Sequence, residues 1–386
     1  TKFSSIAGSL TSAFIKDEFS PIICETIATN AFNFSPEVKQ LDEKLFTMEL
    51  FHTPTGKHRD FGISYLVSCI ETILDLNGGS AIFLDVSTGE LGASLALSLR
   101  GEKNIKAVLV YPKGMVRGME ESDFAWNGGN IYPVEIDGTE EDCHKFVRAI
   151  FEDKAFIKER HITVANTANI GRLLPQAFFY PFAFSRIKNK INGNIYYALA
   201  PGNYSNVVAG LYAWQFALPL NGFIIPATDS LTVDAIGEPV LLDSLVPANR
   251  RNPSDPSEPS NLERLEEVFC ANKAMMKHFI FPKPIDESDV NAAAKELYTK
   301  YKLYSDRHTA RAYAASKTHI SVDTGEAITV LVARDSPSLS ENFVQHTIGE
   351  VPEMPDSIKK SLKQSNLARP LVKTPEELKK LIEKIQ

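Results

Sequence analysis

The stretch of residues 81–110 decides the fold of this chain. It opens with the apolar run AIFL (residues 81–84), turns through STGELG (residues 87–92) and reaches a second apolar run, IKAVLV (residues 105–110). The residues between, 93–100, have helical composition. A strand, a glycine-containing turn, a helix and another strand form the unit that sets two parallel strands side by side. The stretch therefore predicts an α/β fold.

The same order of elements recurs along the chain. Strands are predicted at 131–136, 194–200, 222–227 and 327–333, and helices at 140–151, 207–218 and 338–348. Parallel-rich sheets of this kind carry helices on both faces. Five prolines between residues 238 and 261 predict a long loop or the flank of a lid, and no sheet element there. In the tail, residues 351–386, a capping hydroxyl and a proline at Thr374-Pro375 predict a helix start.

Composition narrows the function classes. The chain has 386 residues, of which 44% are hydrophobic and 23% charged, a globular balance that suits two domains. Its net charge of −7 argues against nucleic acid or an anionic membrane as the main partner. The uncharged stretch 191–228 is interrupted by prolines and asparagines, so it predicts the buried middle of a domain and not a membrane span.

The cysteines and the first residues indicate the compartment. Cys24, Cys69, Cys143 and Cys270 lie far apart and form no CxxC pair, zinc spacing or disulfide framework. The first residues lack a basic segment followed by an apolar run, so no signal peptide is expected. A reducing, cytoplasmic setting fits best. The histidines lack metal-ligand spacing, and no metal site is predicted.

Two loops after predicted strands lead into helix N-termini, where exposed N–H groups suit a phosphate or a carboxylate. They are residues 88–92 and 202–206. Glycine after a strand is also an ordinary turn requirement, so this pattern alone leaves both readings open. Gly202-Asn203 is the better candidate, because Glu90 in the other loop is expected to repel an anion.

The segment LFHTPTGKHRDFG, residues 50–62, is dense in functional residue types. Lys57 is its candidate for a nucleophilic or imine-forming amine. A solvated basic turn is the alternative explanation of the same residues, and their position favours it. Asp60 is interpreted as a helix-start residue.

This segment resembles the LFHGPTxAFKDFG motif of the threonine synthase family, which comprises fold-type II enzymes dependent on pyridoxal 5′-phosphate (PLP). Other motifs recur in family order: YPKG (111–114), GGN (128–130), IDG (136–138), NIGRLL (169–174), GN (202–203) and PSNLER (259–264). The resemblance implies a two-domain architecture like that of the tryptophan synthase β chain, with PLP in the cleft. We expect a large domain of residues 1–75 and 160–386 and a small one of 76–159.

The resemblance also implies a reaction and a set of site residues. The family converts O-phosphohomoserine and water to threonine and phosphate, with PLP as electron sink. Cofactor contacts are implied at Gly202, Asn203, Tyr204, Ser205, Asn206 and Arg334. Substrate contacts are implied at Thr88, Gly89, Glu90, Leu91, Gly92, Asn166, Asn169 and Arg172. The expected partner is a small anion, a phosphorylated amino acid or phosphate, and the expected assembly is a monomer or homodimer.

The chain departs from the family pattern where the chemistry lies. Arg59 stands at the position of the Schiff-base lysine, and a guanidinium stays protonated, so it can neither attack an aldehyde nor shuttle a proton. Lys57 lies two residues earlier, about 6–7 Å away in an extended segment. Leu91 replaces a threonine hydroxyl, Pro201 lacks an N–H donor, and Arg334 is expected to disfavour a protonated pyridine ring.

Three hypotheses follow from these departures. The first is a threonine synthase-like protein whose catalysis is impaired or lost, with covalent attachment of PLP in doubt. The second is an active lyase that uses Lys57 in place of the missing lysine. The third is a non-catalytic protein that binds a small anion in the retained cleft or serves as a scaffold.

Overall fold

The computed structural model describes residues 1–252, 254–270, 272–319 and 326–385. Its α-helices are α1 (Phe3–Phe14), α2 (Pro21–Ala31), α3 (Arg59–Asn77), α4 (Glu90–Leu99), α5 (Glu140–Glu152), α6 (Lys154–Glu159), α7 (Ile170–Leu173), α8 (Phe179–Ile187), α9 (Ser205–Gln215), α10 (Leu262–Val268), α11 (Lys273–Phe279), α12 (Glu287–Tyr301), α13 (Arg307–Thr318), α14 (Glu341–Ile348), α15 (Asp356–Leu362) and α16 (Pro375–Glu383). Short 3₁₀ turns lie at Glu121–Asp123, Ala125–Asn127, Leu174–Phe178, Lys188–Lys190, Leu242–Leu245, Ala248–Arg250 and Pro337–Ser340.

The strands are β1 (Glu37–Gln40), β2 (Leu45–Glu49), β3 (Ala81–Val86), β4 (Ile105–Pro112), β5 (Ile131–Ile136), β6 (Ile162–Thr163), β7 (Ile195–Ala198), β8 (Gly222–Pro226), β9 (Leu231–Val233), β10 (Pro239–Leu241), β11 (Ile280–Lys283) and β12 (Ile328–Ala333). Three sheets result, with the orders β1-β2-β12-β7-β8-β11, β5-β4-β3-β6 and β10-β9. The four-stranded sheet is wholly parallel, and the six-stranded sheet is parallel except for its edge strand β1.

Apolar side chains cover both faces of each large sheet. On the six-stranded sheet, one core cluster includes residues of α1, α2, α8 and α9, and another includes residues of α12 and α13. On the four-stranded sheet, one cluster includes residues of α3 and α4, and the other includes residues of α5 and α16. Burial of these faces is the main favourable contribution to folding. The predicted parallel-rich α/β fold with helices on both faces is confirmed.

A cluster of aromatic rings fixes the N-terminal half of α3. Phe61 is fully buried, and its ring packs edge-on against Phe34, Phe179 and Phe3, with centroid distances of 4.8, 5.0 and 5.4 Å. Aromatic pairs in this geometry stabilise a fold beyond the area that they bury. The first turn of α3, which begins at Arg59, is therefore held in place from one side by the core.

Helix starts are where the sequence prediction was least accurate. The helix predicted from residue 93 begins at Glu90, because the Ser87 hydroxyl accepts the N–H groups of Gly89 and Gly92 at 3.0 and 3.2 Å. The helix predicted at 207–218 spans Ser205–Gln215. The last predicted helix, 338–348, opens with a 3₁₀ turn and becomes α-helical at Glu341.

The proline-rich segment 238–261 was predicted to contain no sheet element, and this was wrong. Its residues Pro239–Leu241 form β10 and pair with β9 in antiparallel register. A hairpin tolerates proline at the first position of an edge strand, where its missing N–H costs no ladder bond. Pro253, which also belongs to the predicted loop, lies outside the described residues, as does Gln386 at the end of the tail.

Two further properties bear on the compartment. All four cysteines are free thiols, and Cys24 and Cys143 are buried. No helix among the described residues combines the length and apolar character needed to span a bilayer.

Candidate functional site

The loops that carry most predicted site residues follow neighbouring parallel strands. In the six-stranded sheet, β2, β12 and β7 are adjacent, and the segments after them hold Lys57 and Arg59, Arg334, and Gly202 respectively. In the other sheet, the turn after β3 holds Glu90. Ligands of α/β sheets bind at the carboxyl ends of the strands, so these loops define the candidate cleft.

Two of these loops are joined by backbone hydrogen bonds. The N–H of Ser336 donates to the carbonyl of Gly56 at 2.7 Å, and the N–H of His58 donates to the carbonyl of Arg334 at 3.1 Å. Residues 56–58 and 334–336 therefore form a short antiparallel seam. The start of α3 and the end of β12 keep a fixed relation across this seam.

The carboxylate of Glu90 holds both cations of the 57–59 segment. Lys57 Nζ lies 2.7 Å from Glu90 Oε1, and Arg59 Nη2 lies 3.4 Å from Glu90 Oε2. Burial alone raises the pKa of Glu90, but the charges of Arg59 and Lys57 outweigh it, and the pKa is lowered. Glu90 is also the first residue of α4, where the helix dipole favours an anion. From the sequence, Glu90 was expected to repel an anion. That expectation did not include the contacts of its carboxylate with Lys57 and Arg59.

Asp60 connects the start of α3 to α4 and to the preceding segment at Thr55. Its carboxylate accepts hydrogen bonds from the Thr55 N–H at 2.8 Å, the Thr55 hydroxyl at 2.9 Å and the Ser94 hydroxyl at 2.6 Å. It is 4% exposed, so a carboxylate without these donors would be costly here. Asp60 lies in the first turn of α3 as predicted, but its carboxylate is bound by Thr55 and Ser94 and does not cap the N–H groups of α3.

Arg172 is a buried cation with two unpartnered nitrogens among the described residues. Its side chain is 6% exposed, and within the described ranges Nε and Nη1 have no hydrogen-bond partner. Burial, together with the charge of Arg59, lowers its pKa to about 9. It packs against Gly62 of α3 so closely that a Cβ there would lie 1.9 Å from Nη1. Since buried polar groups are normally paired, this guanidinium is suited to bind an anion that enters the cleft.

Arg334 and His58 are part of the seam itself. Arg334 Nη1 donates to the carbonyl of Ala200 at 3.2 Å, while its Nε is buried and has no partner among the described residues. His58 Nδ1 lies 3.1 Å from Asp335 Oδ1. Burial and the charge of Arg334 lower the pKa of His58 to about 4, so His58 is neutral at pH 7. Asp335 is ionised and accepts the Nδ1 hydrogen bond.

The loop at 202–206 leads into α9, and several of its side chains are bound inside the protein. The Asn203 amide donates to Thr167 Oγ1 at 2.8 Å, the Asn206 amide donates to the carbonyl of Ala200 at 3.2 Å, and Ser205 contacts Gln176. Tyr204 adopts a left-handed conformation with φ of 60°, and its hydroxyl is hydrogen-bonded to Thr228. At the start of α9 the N–H groups of Ser205 and Val207 already donate to Asn203 Oδ1 and Asn206 Oδ1, at 3.4 and 2.9 Å, so the loop offers a ligand only its remaining backbone N–H groups.

A Cβ on Gly202 would lie 3.4 Å from Arg334 Nη1, so this loop and Arg334 are neighbours. Thr88, Gly89, Leu91 and Gly92 accompany Glu90 at the start of α4, where Leu91 packs against the core cluster of the four-stranded sheet. Apolar packing accounts for a leucine at this position.

Asn166 and Asn169 are both hydrogen-bonded to other groups of the protein. Asn166 donates to Asp85 Oδ1 at 2.9 Å and to the carbonyl of Pro256 at 2.8 Å. Asn169 caps α7 by accepting the N–H of Gly171 at 3.0 Å. Both amides position the segment that carries Arg172.

Sequence reasoning missed Asp85 and the pairing of His58 with Asp335. Asp85 is 1% exposed at the end of β3, and burial raises its pKa to about 7. His58 and Asp335 are 277 positions apart, so no spacing rule connects them. The one available signal was a charged residue within an apolar run, Asp85 directly after the AIFL strand.

One group of three potential metal ligands occurs among the described residues. Ligand atoms of Glu37, Glu49 and His52 lie within 4.8 Å of one another. Lys39 Nζ lies 2.7 Å from Glu49 and 3.3 Å from Glu37. The single lysine ammonium pairs with both carboxylates and offsets one of their two charges, so the cluster is an ion-pair network.

Comparison with known proteins places the chain in a family. No protein-family model matches it. It is 32% identical over 309 residues to threonine synthase of Buchnera aphidicola subsp. Schizaphis graminum, an alignment that covers 78% of this chain and 70% of that protein. It is 27% identical over 348 residues to threonine synthase of Escherichia coli, covering 90% and 80%.

Solved structures give the same fold. The crystal structure of Escherichia coli threonine synthase matches 99% of this chain and 88% of its own, with a TM-score of 0.75 and 24% identity. PLP-bound threonine synthase from Brucella melitensis matches with a TM-score of 0.79 and 20% identity, over 99% and 88%. The two sheets, each with helices on both faces, define a two-sheet α/β protein. Within that class, the chain belongs to the threonine synthase family.

Family membership implies PLP. The cleft residues suit the phosphate group of PLP, but they do not suit a covalent bond to its aldehyde. A phosphate group is suited by two features: the unpartnered Nε of Arg334, which lies beside the Gly202 loop, and the start of α9. A covalent link to the aldehyde needs a free lysine amine. The lysine of the 50–62 segment, Lys57, is bound to Glu90. The residues therefore do not fit a covalently attached PLP.

Proposed function

We propose that this chain is a threonine synthase-family protein that binds a small phosphorylated molecule in its cleft without forming a Schiff base. One observation carries the proposal: Glu90 binds both Lys57, at 2.7 Å, and Arg59, at 3.4 Å. In the gap-free match of residues 50–62 to the family motif, Arg59 takes the lysine position. A guanidinium offers no nucleophile, and an amine that donates to a carboxylate does not present its lone pair.

The charges around the cleft support the ligand class. Arg172 and Arg334 have buried nitrogens without acceptors in the described parts of the chain. A phosphate presents several acceptor oxygens and pairs with guanidinium groups in a bidentate manner. A monomer or homodimer in a reducing, cytoplasmic setting is part of this proposal, and the four free thiols support the reducing setting.

The test is an absorption spectrum with added PLP, before and after borohydride, with mass spectrometry of the peptide that spans Lys57 and Arg59. We expect neither a Schiff-base band nor a reduced adduct. An adduct on Lys57 would overturn the proposal and identify a lyase with a relocated lysine. Arg59→Lys is the positive control: if the lysine alone is missing, this variant gains the adduct.

Phosphate binding is measured separately by thermal unfolding with and without inorganic phosphate. We expect phosphate to raise the Tm of the unmodified protein, because a ligand that binds the folded state stabilises it. Arg172→Met should lose most of that increase. Arg369→Met is the matched control, because the Arg369 guanidinium stacks on Trp126 at 3.9 Å in the tail region. No increase with the unmodified protein would contradict the proposal.

A further inference from the structure

One face of α3 lines a pocket that the proposed function does not use. The residues of this face recur every three or four positions along the helix, which places their side chains in one stripe. They are Ser64, Val67, Ser68, Glu71, Thr72 and Asp75. Residues at the ends of α2 and α4 complete the wall, and the pocket has a volume of about 350 Å³. We call it the α3 pocket.

The wall of the α3 pocket carries three carboxylates, those of Glu71, Asp75 and Glu102. The Asn104 amide donates to Glu71 Oε1 and to Asp75 Oδ1, at 2.9 Å in both cases, so these two carboxylates are adjacent. Burial, followed by the charges of Glu71 and Asp75, raises the pKa of Glu102, so the third carboxylate lies within their electrostatic reach. None of the three forms an ion pair with a residue in the described ranges.

Arg100 is the one cationic side chain on this wall among the described residues. Its guanidinium is bound by Asp123, with Nε 2.7 Å from Oδ1 and Nη2 2.8 Å from Oδ2. Glu120 lies 3.4 Å from Nη2 as well. Two acidic residues therefore already balance the charge of Arg100, and the three carboxylates of the α3 pocket are left without a counter-ion.

Glu71 has an acceptor atom to spare. Its side chain is 8% exposed, and its Oε1 accepts the N–H groups of Lys103 and Asn104, at 3.1 Å each. Its Oε2 is buried and has no hydrogen-bond partner in the described part of the chain. A buried carboxylate oxygen without a donor is costly, and such oxygens are normally paired. A donor brought by a ligand would satisfy it.

The position of the carboxylates on α3 also calls for a cation. The last turn of this helix holds Asp75 and no basic residue. The negative end of the helix dipole lies there and favours a positive charge. Glu71 and Asp75 are four positions apart, a spacing at which two like charges destabilise a helix. A bound cation would relieve both effects.

The shape of the site indicates an extended cation. Ligand atoms of Glu71, Asp75 and Glu102 do not all lie within 4.8 Å of one another, so one metal ion cannot bind all three together. Apolar side chains line the pocket beside the carboxylates, namely those of Phe34, Val67 and Leu97. Binding pockets commonly combine such apolar walls with a few charged groups that fix the ligand.

We propose that the α3 pocket binds a linear aliphatic diamine. One ammonium group pairs with Glu71 and Asp75, the other pairs with Glu102, and the methylene groups between them lie against the apolar side chains. An ammonium group has three N–H donors and no acceptor, which matches a wall of carboxylate oxygens. The inference does not rest on the proposed function, because neither Arg172 nor Arg334 lines this pocket.

The experiment is calorimetric titration at fixed ionic strength. It compares linear diamines of three to five methylene groups with butylamine, which has a single ammonium group. The best diamine should bind at least about tenfold more tightly than butylamine, because its second ion pair forms within the complex. MgCl₂ is the metal probe and should bind more weakly than that diamine, since Mg²⁺ requires a compact octahedral set of oxygens.

Two variants separate ligand binding from structure. Asp75→Asn and Glu102→Gln should each weaken diamine binding about fivefold or more, because each removes one charge that pairs with the ligand. Without ligand, both should have the same Tm as the unmodified protein or a higher one, since they relieve like-charge repulsion. Carboxylates that only stabilise the fold would lower the Tm when replaced. Glu43→Gln, at an exposed position outside the pocket, is the matched control.

Three results would overturn the proposal: no diamine binding, equal affinity for the diamines and butylamine, or diamine binding that neither pocket variant weakens. Tighter binding of Mg²⁺ than of every diamine would also overturn it and would identify a metal site. A diamine preference that falls in both pocket variants and persists in Glu43→Gln supports it. Phosphate binding in the cleft is measured separately, so the proposed function stands or fails independently of these results.

Discussion

At the scale of single residues, Glu90 determines the character of the cleft. One carboxylate binds the amine of Lys57 and the guanidinium of Arg59. The pair is about one-third exposed, at 32% for Glu90 and 30% for Arg59, so solvent weakens each contact. The contact therefore matters more for reactivity than for stability, because it engages the amine of Lys57, the one lysine of the 50–62 segment.

Glu90→Gln tests this occupation directly. Loss of the carboxylate should raise the rate at which acetic anhydride modifies Lys57 by about threefold to tenfold, the range expected for an ion pair worth ~1 kcal/mol. Peptide mass spectrometry measures the rate, and the exposed Lys113 in the same digest is the internal control. A Lys57 rate that stays constant relative to Lys113 would show that Glu90 does not restrain the amine.

A pH dependence follows from Asp85. Burial raises its pKa to about 7, although hydrogen bonds from the Ala165 N–H and the Asn166 amide act in the opposite direction. Between pH 4 and pH 7 the folded protein therefore holds a proton that the unfolded chain has released. Because the unfolded state binds fewer protons, this contribution to stability is present at low pH and is lost as the pH rises.

Asp85→Asn should remove this loss. Between pH 5 and pH 7.5 the unmodified protein should lose roughly 3 kcal/mol relative to the variant, at about 1.4 kcal/mol for each pKa unit. Urea unfolding at both pH values measures the difference. Asp17→Asn, at an exposed position, is the control. Parallel pH profiles for Asp85→Asn and the unmodified protein would refute the assignment.

At the scale of elements, the sequence predicted six of the twelve strands in the described parts of the chain, and it predicted neither the other six nor the contacts between site residues. The AIFL and IKAVLV runs became adjacent parallel strands because their periodicity and apolar character are local properties. The start of α4 was predicted three residues late, because the Ser87 cap and the conformation of Gly89 decide it. The ion pair of Glu90 joins residues 33 positions apart, and only the tertiary fold determines that contact.

The packing of α3 against Arg172 gives a prediction at this scale. In Gly62→Ala, the new Cβ would lie 1.9 Å from Arg172 Nη1 and 2.7 Å from the Arg172 carbonyl oxygen. A rotamer change can relieve the first contact but not the second, so we expect a loss of ~1–3 kcal/mol. Phosphate should also stabilise this variant less, because Arg172 is displaced.

Urea unfolding with and without phosphate measures both effects. Ser64→Ala in the same helix is the control, because its hydroxyl makes only a 3.3 Å contact with Ser98. Equal stability of Gly62→Ala and Ser64→Ala would show that α3 can shift away from Arg172 at no cost.

At the scale of the whole molecule, the charge of the chain and the charge of the cleft have opposite signs. The chain carries 41 basic and 48 acidic residues, a net charge of −7. Arg172 and Arg334, by contrast, have buried nitrogens without acceptors in the described ranges. The net negative charge of the chain therefore repels a phosphorylated ligand, while Arg172 and Arg334 attract it within the cleft. Salt screens an exposed charge more than a buried one.

Ionic strength should therefore change phosphate affinity modestly. Between about 0.02 M and about 0.2 M NaCl we expect the dissociation constant to change less than about tenfold, because buried pairs are weakly screened. Calorimetry at the two salt concentrations measures this. A much steeper dependence would indicate that exposed surface cations, and not Arg172 and Arg334, hold the phosphate.

The seam between residues 56–58 and 334–336 has a mechanical consequence. Its two hydrogen bonds, Ser336 to Gly56 and His58 to Arg334, link the loops of two adjacent strands. These two loops should therefore move together as one rigid wall of the cleft. A longer or shorter ligand must then be accommodated by the opposite wall, the turn that contains Glu90. Homologues that bind a different ligand should therefore differ in the sequence of that turn, while residues 56–58 and 334–336 stay unchanged.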